Sequence, residues 1–362
     1  MTMRLRLSTL ALAGSVALVL MPRLDAQKGG EDETGPYELV ASWPRAACGD
    51  GFGWGSTSGV FAESPDAVFV FQRGCLPTLP AFTGIVPPRN ASSFAADSPD
   101  PLLRPRWEHV LMVVNREGRV VDSWNQHNHL FVRPHRVLIS PYDPDRAVWL
   151  IDDGAHQVFK FSRDGQRLLM TLGEHKVPGN DRAHFNRPTD VAWLPNGDFF
   201  VTDGYANTRV VKFSRDGRYL FEWGKPGAGP GEFNTVHGIV IDDKRRVYIA
   251  DRGNSRVQIF DEHGTYVDEW PNIRFPYAIY MSKDQHVWIG DGYTNKILKY
   301  DLNGKLLYSW GTFGAFPGGL WGPHQISVDN EDNLYIADVH IGRVQKLRPK
   351  RGADPAHLVG QR

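Results

Sequence analysis

Trp321-Gly322-Pro323-His324-Gln325-Ile326-Ser327-Val328-Asp329 stands near the end of the chain, and its first half is written again upstream. Arg133-Pro134-His135-Arg136-Val137 and Thr235-Val236-His237-Gly238-Ile239 carry the same phrase with a histidine; Arg187-Pro188-Thr189-Asp190-Val191 and Phe275-Pro276-Tyr277-Ala278-Ile279 carry it without one. The phrase is a repeat, and the histidine occupies only some copies. The phrase residue lies 14 positions before an aspartate in four copies, Thr189 to Asp203, His237 to Asp251, Tyr277 to Asp291 and His324 to Asp338. From His135 to Asp152 the gap is 17, and a longer turn through Pro141-Tyr142-Asp143-Pro144 accounts for the excess.

The copies read as short strands: the phrase strand, a second ending in Asp, a third such as Val210 to Phe213, and, except in the last copy, a fourth that closes on Trp-Gly in copies such as Tyr219 to Gly224. Alternating apolar residues between Gly, Asn and Asp turns give this reading, and a four-stranded unit of about 40 to 50 residues is a propeller blade. A further blade precedes these five, with Ser58 and Gln72 at the same 14-residue spacing and later strands at Val110 to Val114 and Arg119 to Trp124. Its insertion, residues 74–106, holds seven prolines between positions 77 and 105 and reads as a loop or lid. The last blade lacks a fourth strand, and Tyr37 to Trp43 can supply it. The expected fold class is therefore all-β, a six-bladed β-propeller over 37–348 whose N-terminal strand completes the last blade.

Arg4 and Arg6 precede an apolar run from Leu7 to Met21, with Ala26 before a cleavage point. Residues 1–26 thus read as a signal peptide, 27–36 as a flexible lead and 349–362 as a polar, loosely held tail, and the protein is expected to be secreted or periplasmic. The run is short for a stable membrane anchor. Two cysteines, Cys48 and Cys75, suit a disulfide in such a compartment. Basic and acidic residues balance at 41 each, so the overall charge draws the protein to neither nucleic acid nor an anionic membrane. A monomer is expected.

Counting blades from Ser58, the phrase histidines His135, His237 and His324 fall in blades 2, 4 and 6, a third of a turn apart at one depth. One such histidine would be structural. Three converging on an axis form a tripod for one divalent metal, and neutral imidazoles with an open fourth position suit Zn²⁺. The other ten histidines, among them His156, His184 and His340, lack this equivalence and read as surface or loop residues. One position beyond the second-strand Asp stands Arg252 in blade 4, with Arg73 in the same register of blade 1. Either arginine alone could bridge blades; the pair beside a metal suits carboxylate capture. Two positions beyond Asp stand Tyr205 and Tyr293. Tyr293 reads as packing over its blade, whereas Tyr205 beside the tripod and the arginines can act as a general base.

The repeats resemble NHL-repeat propellers, which implies the fold alone. His184-Phe185-Asn186-Arg187-Pro188-Thr189-Asp190-Val191-Ala192 followed by Val201-Thr202-Asp203-Gly204-Tyr205 is more specific. With Ala155 to Phe161, Ala250-Asp251-Arg252 and Phe71-Gln72-Arg73-Gly74, it resembles the peptidyl-α-hydroxyglycine α-amidating lyases across nearly the whole propeller. That resemblance implies a carbon–nitrogen lyase that converts a peptidyl- or N-acyl-α-hydroxyglycine to the amide and glyoxylate. It implies His135, His237 and His324 on zinc, Tyr205 as base, and Arg73 and Arg252 on the carboxylate and developing charge. It also implies a channel Ca²⁺ on the carbonyls of Val60 and Val137 and on an Asp after the third histidine. Here that residue is Gln325, a neutral ligand, which sets the calcium expectation against the sequence. The family's cysteine beside the tyrosine is Ala206, and no copper hydroxylase segment accompanies the propeller. Two other readings compete: a non-catalytic propeller binding a protein or glycan around a structural channel metal, and a lactonase-like hydrolase. The hydrolase would want Glu, Asp and Asn around calcium, and three histidines speak against it.

Overall fold

A computed structural model describes residues 34–41, 43–77 and 105–360. The expected signal peptide and most of the insertion lie outside these residues. The described chain forms six four-stranded antiparallel sheets arranged as a β-propeller. The inner strands are Thr57–Ser64, Pro134–Ile139, Pro188–Trp193, Val236–Ile241, Pro276–Met281 and Pro323–Val328, and they pack around a central channel.

Burial follows from position in the blade. The second strands, Val148–Asp152, Phe199–Asp203, Val247–Asp251, Val287–Asp291 and Leu334–Asp338, are buried along their whole length because both faces meet a neighbouring blade. Outer strands such as Leu168–Leu172 show only a mixed, partly exposed pattern. The apolar core accordingly divides into six clusters, one at each blade–blade junction. Phe69 and Phe71 of blade 1 meet Phe159 and Phe161 of blade 2, and Trp149 of blade 2 meets Phe199 of blade 3. Each such side chain contributes roughly 1.5–3 kcal/mol by leaving water, so stability is distributed evenly around the ring.

The ring closes as its first strand requires. Tyr37–Leu39 pairs antiparallel with Arg343–Pro349, setting Tyr37 opposite Pro349 and Leu39 opposite Leu347. The paired segment is shorter than the alternation up to Trp43 suggests, because the chain leaves the sheet after Leu39 and Trp43 instead packs on Tyr335. The C-terminal segment departs from its expected looseness. Leu358 and Val359 are buried, the Val359 N–H donates to the Tyr37 hydroxyl at 2.7 Å, Lys299 donates to the Ala356 carbonyl at 2.7 Å, and His357 stacks on Tyr308 at 3.9 Å. A short apolar patch within a polar sequence therefore buttresses the closure. Cys48 and Cys75 are disulfide-bonded, and Cys75 also bridges to Arg106, so the two ends of the insertion meet at one point.

Candidate metal centre at the channel mouth

Every inner strand has a β-bulge at the phrase residue. Pairing with the second strand skips Ser58, His135, Thr189, His237, Tyr277 and His324 in turn. A bulge leaves its residue outside the ladder and re-aims the side chain. Six bulges at one level thus turn six side chains and six carbonyls away from strand pairing.

Even and odd blades use this freedom differently. His135 donates from Nδ1 to the Thr189 carbonyl at 2.6 Å, His237 to Tyr277 at 2.8 Å and His324 to Ser58 at 2.8 Å. Each imidazole of an even blade therefore hangs on the bulged carbonyl of the next odd blade. Protonation at Nδ1 fixes the tautomer and leaves the Nε2 lone pair to ligate. The three ligating nitrogens lie within 4.8 Å of one another, and ring centroids are 4.7–5.1 Å apart. All three imidazoles are buried, and burial holds each well below the usual imidazole range, helped for His135 by His324, for His237 by Arg252 and for His324 by Arg136. Three neutral nitrogens with converging lone pairs fit Zn²⁺ and leave room for a fourth ligand.

Tyr205 stands over two of these nitrogens, its hydroxyl 3.0 Å from His135 Nε2 and 2.9 Å from His237 Nε2. One phenolic proton cannot serve both, so a lone pair remains unmatched there. Arg252 lies 5.0 Å from the Tyr205 ring centre and 4.9 Å from that of Tyr277. Arg73 is buried, donates from Nε to the Pro134 carbonyl at 3.3 Å and feels both Arg133 and Tyr205; burial above all pushes its guanidinium down to about 10. Tyr293, by contrast, is well exposed on the rim.

Two arginines escaped the sequence reading. Arg133 and Arg187 occupy the position two before the phrase residue, and both also face the Tyr205 ring, at 5.8 and 4.7 Å. Asp153 fixes them, accepting from Arg133 at 3.0 Å and Arg187 at 2.7 Å. Burial pushes the Asp153 carboxyl up to about 6 against the pull of Arg133 and Arg73. Asp153 shares the register of Arg73 and Arg252, and that shared register is the signal that could have singled it out.

The loops before each phrase are pinned from below by the second-strand aspartates. Asp203 accepts from the Asn186 N–H at 2.9 Å, Asp251 from Asn234 at 2.8 Å and Asp338 from Trp321 at 2.7 Å. Gln72 does the same in blade 1, accepting from Gly55 at 3.0 Å. This anchoring explains the constant spacing between phrase and aspartate.

Below the tripod the channel is filled. Arg136 reaches across it, donating to the carbonyls of His324 at 2.6 Å and Tyr277 at 2.7 Å, with Nε 3.8 Å from Asp190. Gln325 accepts from the Val60 N–H at 3.2 Å and donates to the Val137 carbonyl at 2.9 Å. These donors do not fit calcium. The Val137 carbonyl already accepts from Gln325, which brings no charge, and the cationic guanidinium of Arg136 spans the channel beside them and repels a divalent cation. Beneath Arg136 lies a cavity of about 350 Å³ walled by Leu138, Val191, Ile239, Ile279 and Ile326, at the opposite mouth from the imidazoles.

The family description "6-bladed beta-propeller" matches residues 179–272. A probable peptidyl-alpha-hydroxyglycine alpha-amidating lyase of Caenorhabditis elegans is 40% identical over 252 residues, spanning 66% of this chain and 70% of that protein. The chain belongs to the peptidyl-α-hydroxyglycine α-amidating lyase family of propellers. Peptidyl-glycine alpha-amidating monooxygenase B of Xenopus laevis is 32% identical across 67% of this chain, which spans only 29% of that longer protein. Human NHL repeat-containing protein 3 is 31% identical across 68% of this chain and 74% of its own length. Among solved structures, a streptogramin B lyase superposes with a TM-score of 0.52 at 14% identity, covering 82% of this chain and 94% of its own, a likeness of fold.

Proposed function

We propose that this propeller is a zinc-dependent carbon–nitrogen lyase that cleaves peptidyl- or N-acyl-α-hydroxyglycine to the amide and glyoxylate outside the cytoplasm. The observation that carries the reading is the convergence of three imidazole lone pairs, the Tyr205 hydroxyl and a set of guanidiniums at one channel mouth. His135, His237 and His324 would hold the ion, which when bound supplies a Lewis acid for the substrate's oxygen.

The chain's own residues account for the rest. Arg252 and Arg73, backed by Arg133 and Arg187, bind the carboxylate and turn the carbinol carbon toward Tyr205. Tyr205, acting as its phenolate, takes the hydroxyl proton and passes it on to the departing nitrogen. The O–H pair becomes the aldehyde C=O bond, the C–N bond breaks, and its electrons leave on the amide nitrogen, which gains a proton. The products are a primary amide and glyoxylate, with no net oxidation.

Glyoxylate release from N-phenylacetyl-α-hydroxyglycine, measured with metal content, tests this. Tyr205→Phe should lower kcat about 100-fold or more with little change in KM, the effect of removing a positioned base. Stoichiometric zinc with no glyoxylate, and no effect of Tyr205→Phe, would instead support a binding propeller.

A further inference from the structure

The channel mouth is lopsided. The guanidiniums around Tyr205 come from blades 1 to 4, as Arg73, Arg133, Arg187 and Arg252, whereas blade 5 presents rings to the mouth, its own Arg274 lying outside them over Tyr293. From the tripod outward, His324 meets Tyr277 with centroids 5.6 Å apart, Tyr277 meets Phe275 at 6.3 Å, and Phe275 stacks on Tyr293 at 6.5 Å. The ladder runs from the ligating imidazole to solvent, where Phe275 is 42% and Tyr293 62% exposed.

Folding alone does not explain these residues. Phe275 holds a left-handed backbone, φ 51°, as do Arg187, Thr235 and Gly322 at the same position of blades 3, 4 and 6. A bulky side chain is strained in that conformation where glycine is not, and this ring recovers little by burial. Tyr293 is steadied from outside by Arg274, 5.3 Å from its centre. Gly292 makes room for the inner rung, since a Cβ there would lie 1.8 Å from the Tyr277 ring. The ladder is thus built at a backbone expense and left open.

We infer that the ladder is the acyl subsite of the same centre, and that preferred substrates carry an aromatic ring on the acyl side of the α-hydroxyglycine. This rests on the lyase reading above. In that substrate the carboxylate and the amide are two arms of one carbon. With the carboxylate drawn to the guanidiniums and the hydroxyl to the tripod, the acyl arm leaves on the remaining side, over Tyr277 toward Phe275 and Tyr293. Rings at these spacings accept another ring by offset or edge contact.

The test compares kcat/KM for glyoxylate release from N-phenylacetyl- and N-acetyl-α-hydroxyglycine by the zinc-loaded protein and by Phe275→Gly/Tyr293→Ser. Glycine suits the left-handed backbone, so the variant is expected to fold. The phenylacetyl substrate should be favoured ~10-fold or more, chiefly through KM, and the variant should bring the ratio within about twofold of unity. A wild-type ratio near one, or a high ratio that survives the double substitution, overturns the proposal. Absence of glyoxylate from both substrates sinks the lyase reading and this one with it, a result distinct from turnover without discrimination.

Discussion

The two levels of the channel are one residue apart in sequence and opposite in construction. At the upper level, His135, His237 and His324 have one nitrogen anchored and turn the other to the axis. At the lower level, Arg136 spends both terminal nitrogens on carbonyls and Gln325 matches both ends of its amide. Small residues permit that crossing; at Gly238 a Cβ would lie 2.8 Å from Ile279 and 3.5 Å from Asp190. A buried polar layer whose groups are matched apart from Arg136 Nε holds a shape, whereas one with converging unmatched lone pairs is prepared for a ligand.

The largest effect that could break this comparison lies in the upper level. Replacing any one of the three histidines with alanine should lower zinc below stoichiometry and glyoxylate release on the order of a thousandfold, as read by metal analysis and kcat/KM, while the fold persists. Retention of full zinc by all three variants would remove the central site.

Sharpening it from below, Arg136→Met should leave zinc bound but cost about 3 kcal/mol by urea unfolding, because Asp190 is stranded among apolar walls. Burial already pushes the Asp190 carboxyl up to about 6 against the opposing pull of Arg136. Asp190→Leu added to Arg136→Met should recover part of the loss. With the guanidinium in place, calcium or its chelator should shift Tm by less than about 1 °C; a clear calcium-dependent rise would show that the lower level opens.

What the sequence discloses divides along the same line. The phrase, its 14-residue spacing and the alternation of histidine around the ring are periodic features, and periodicity survives in one dimension. Arg136, Asp153 and Asp190 stand one step from those registers, and Arg133 and Arg187 two steps. Their roles depend on reaching across the channel or clasping a neighbouring blade, contacts among residues as distant as Arg136 and His324. The C-terminal patch was hidden for a related reason, since Leu358 and Val359 are too few to show a pattern and acquire meaning only against Tyr37.

The smallest predicted effect is a pH dependence of the metal-free protein. Because burial depresses all three imidazoles in the native state, the unfolded chain takes up protons below about pH 6.5 that the folded chain refuses, and their contribution to stability falls as pH falls. Buried carboxylates such as Asp153 and Asp338, raised to about 6, act in the opposite direction. The urea midpoint of the wild type relative to a variant with glutamine at all three positions isolates the histidines, and the difference should shrink from pH 7 to pH 5. A constant difference would mean that the imidazoles are solvated.

Closure by Tyr37–Leu39 imposes a schedule on biosynthesis. The partner strand, Arg343–Pro349, and the third imidazole, His324, both belong to the last blade to be synthesised. A nascent chain carries five blades and two of the three channel histidines before the partner of its first strand is made, and that strand must wait, unpaired, for the sixth blade. Ring closure and the third imidazole therefore arrive together, so a chain truncated before His324 in the last blade brings two buried imidazole nitrogens to the channel mouth instead of three.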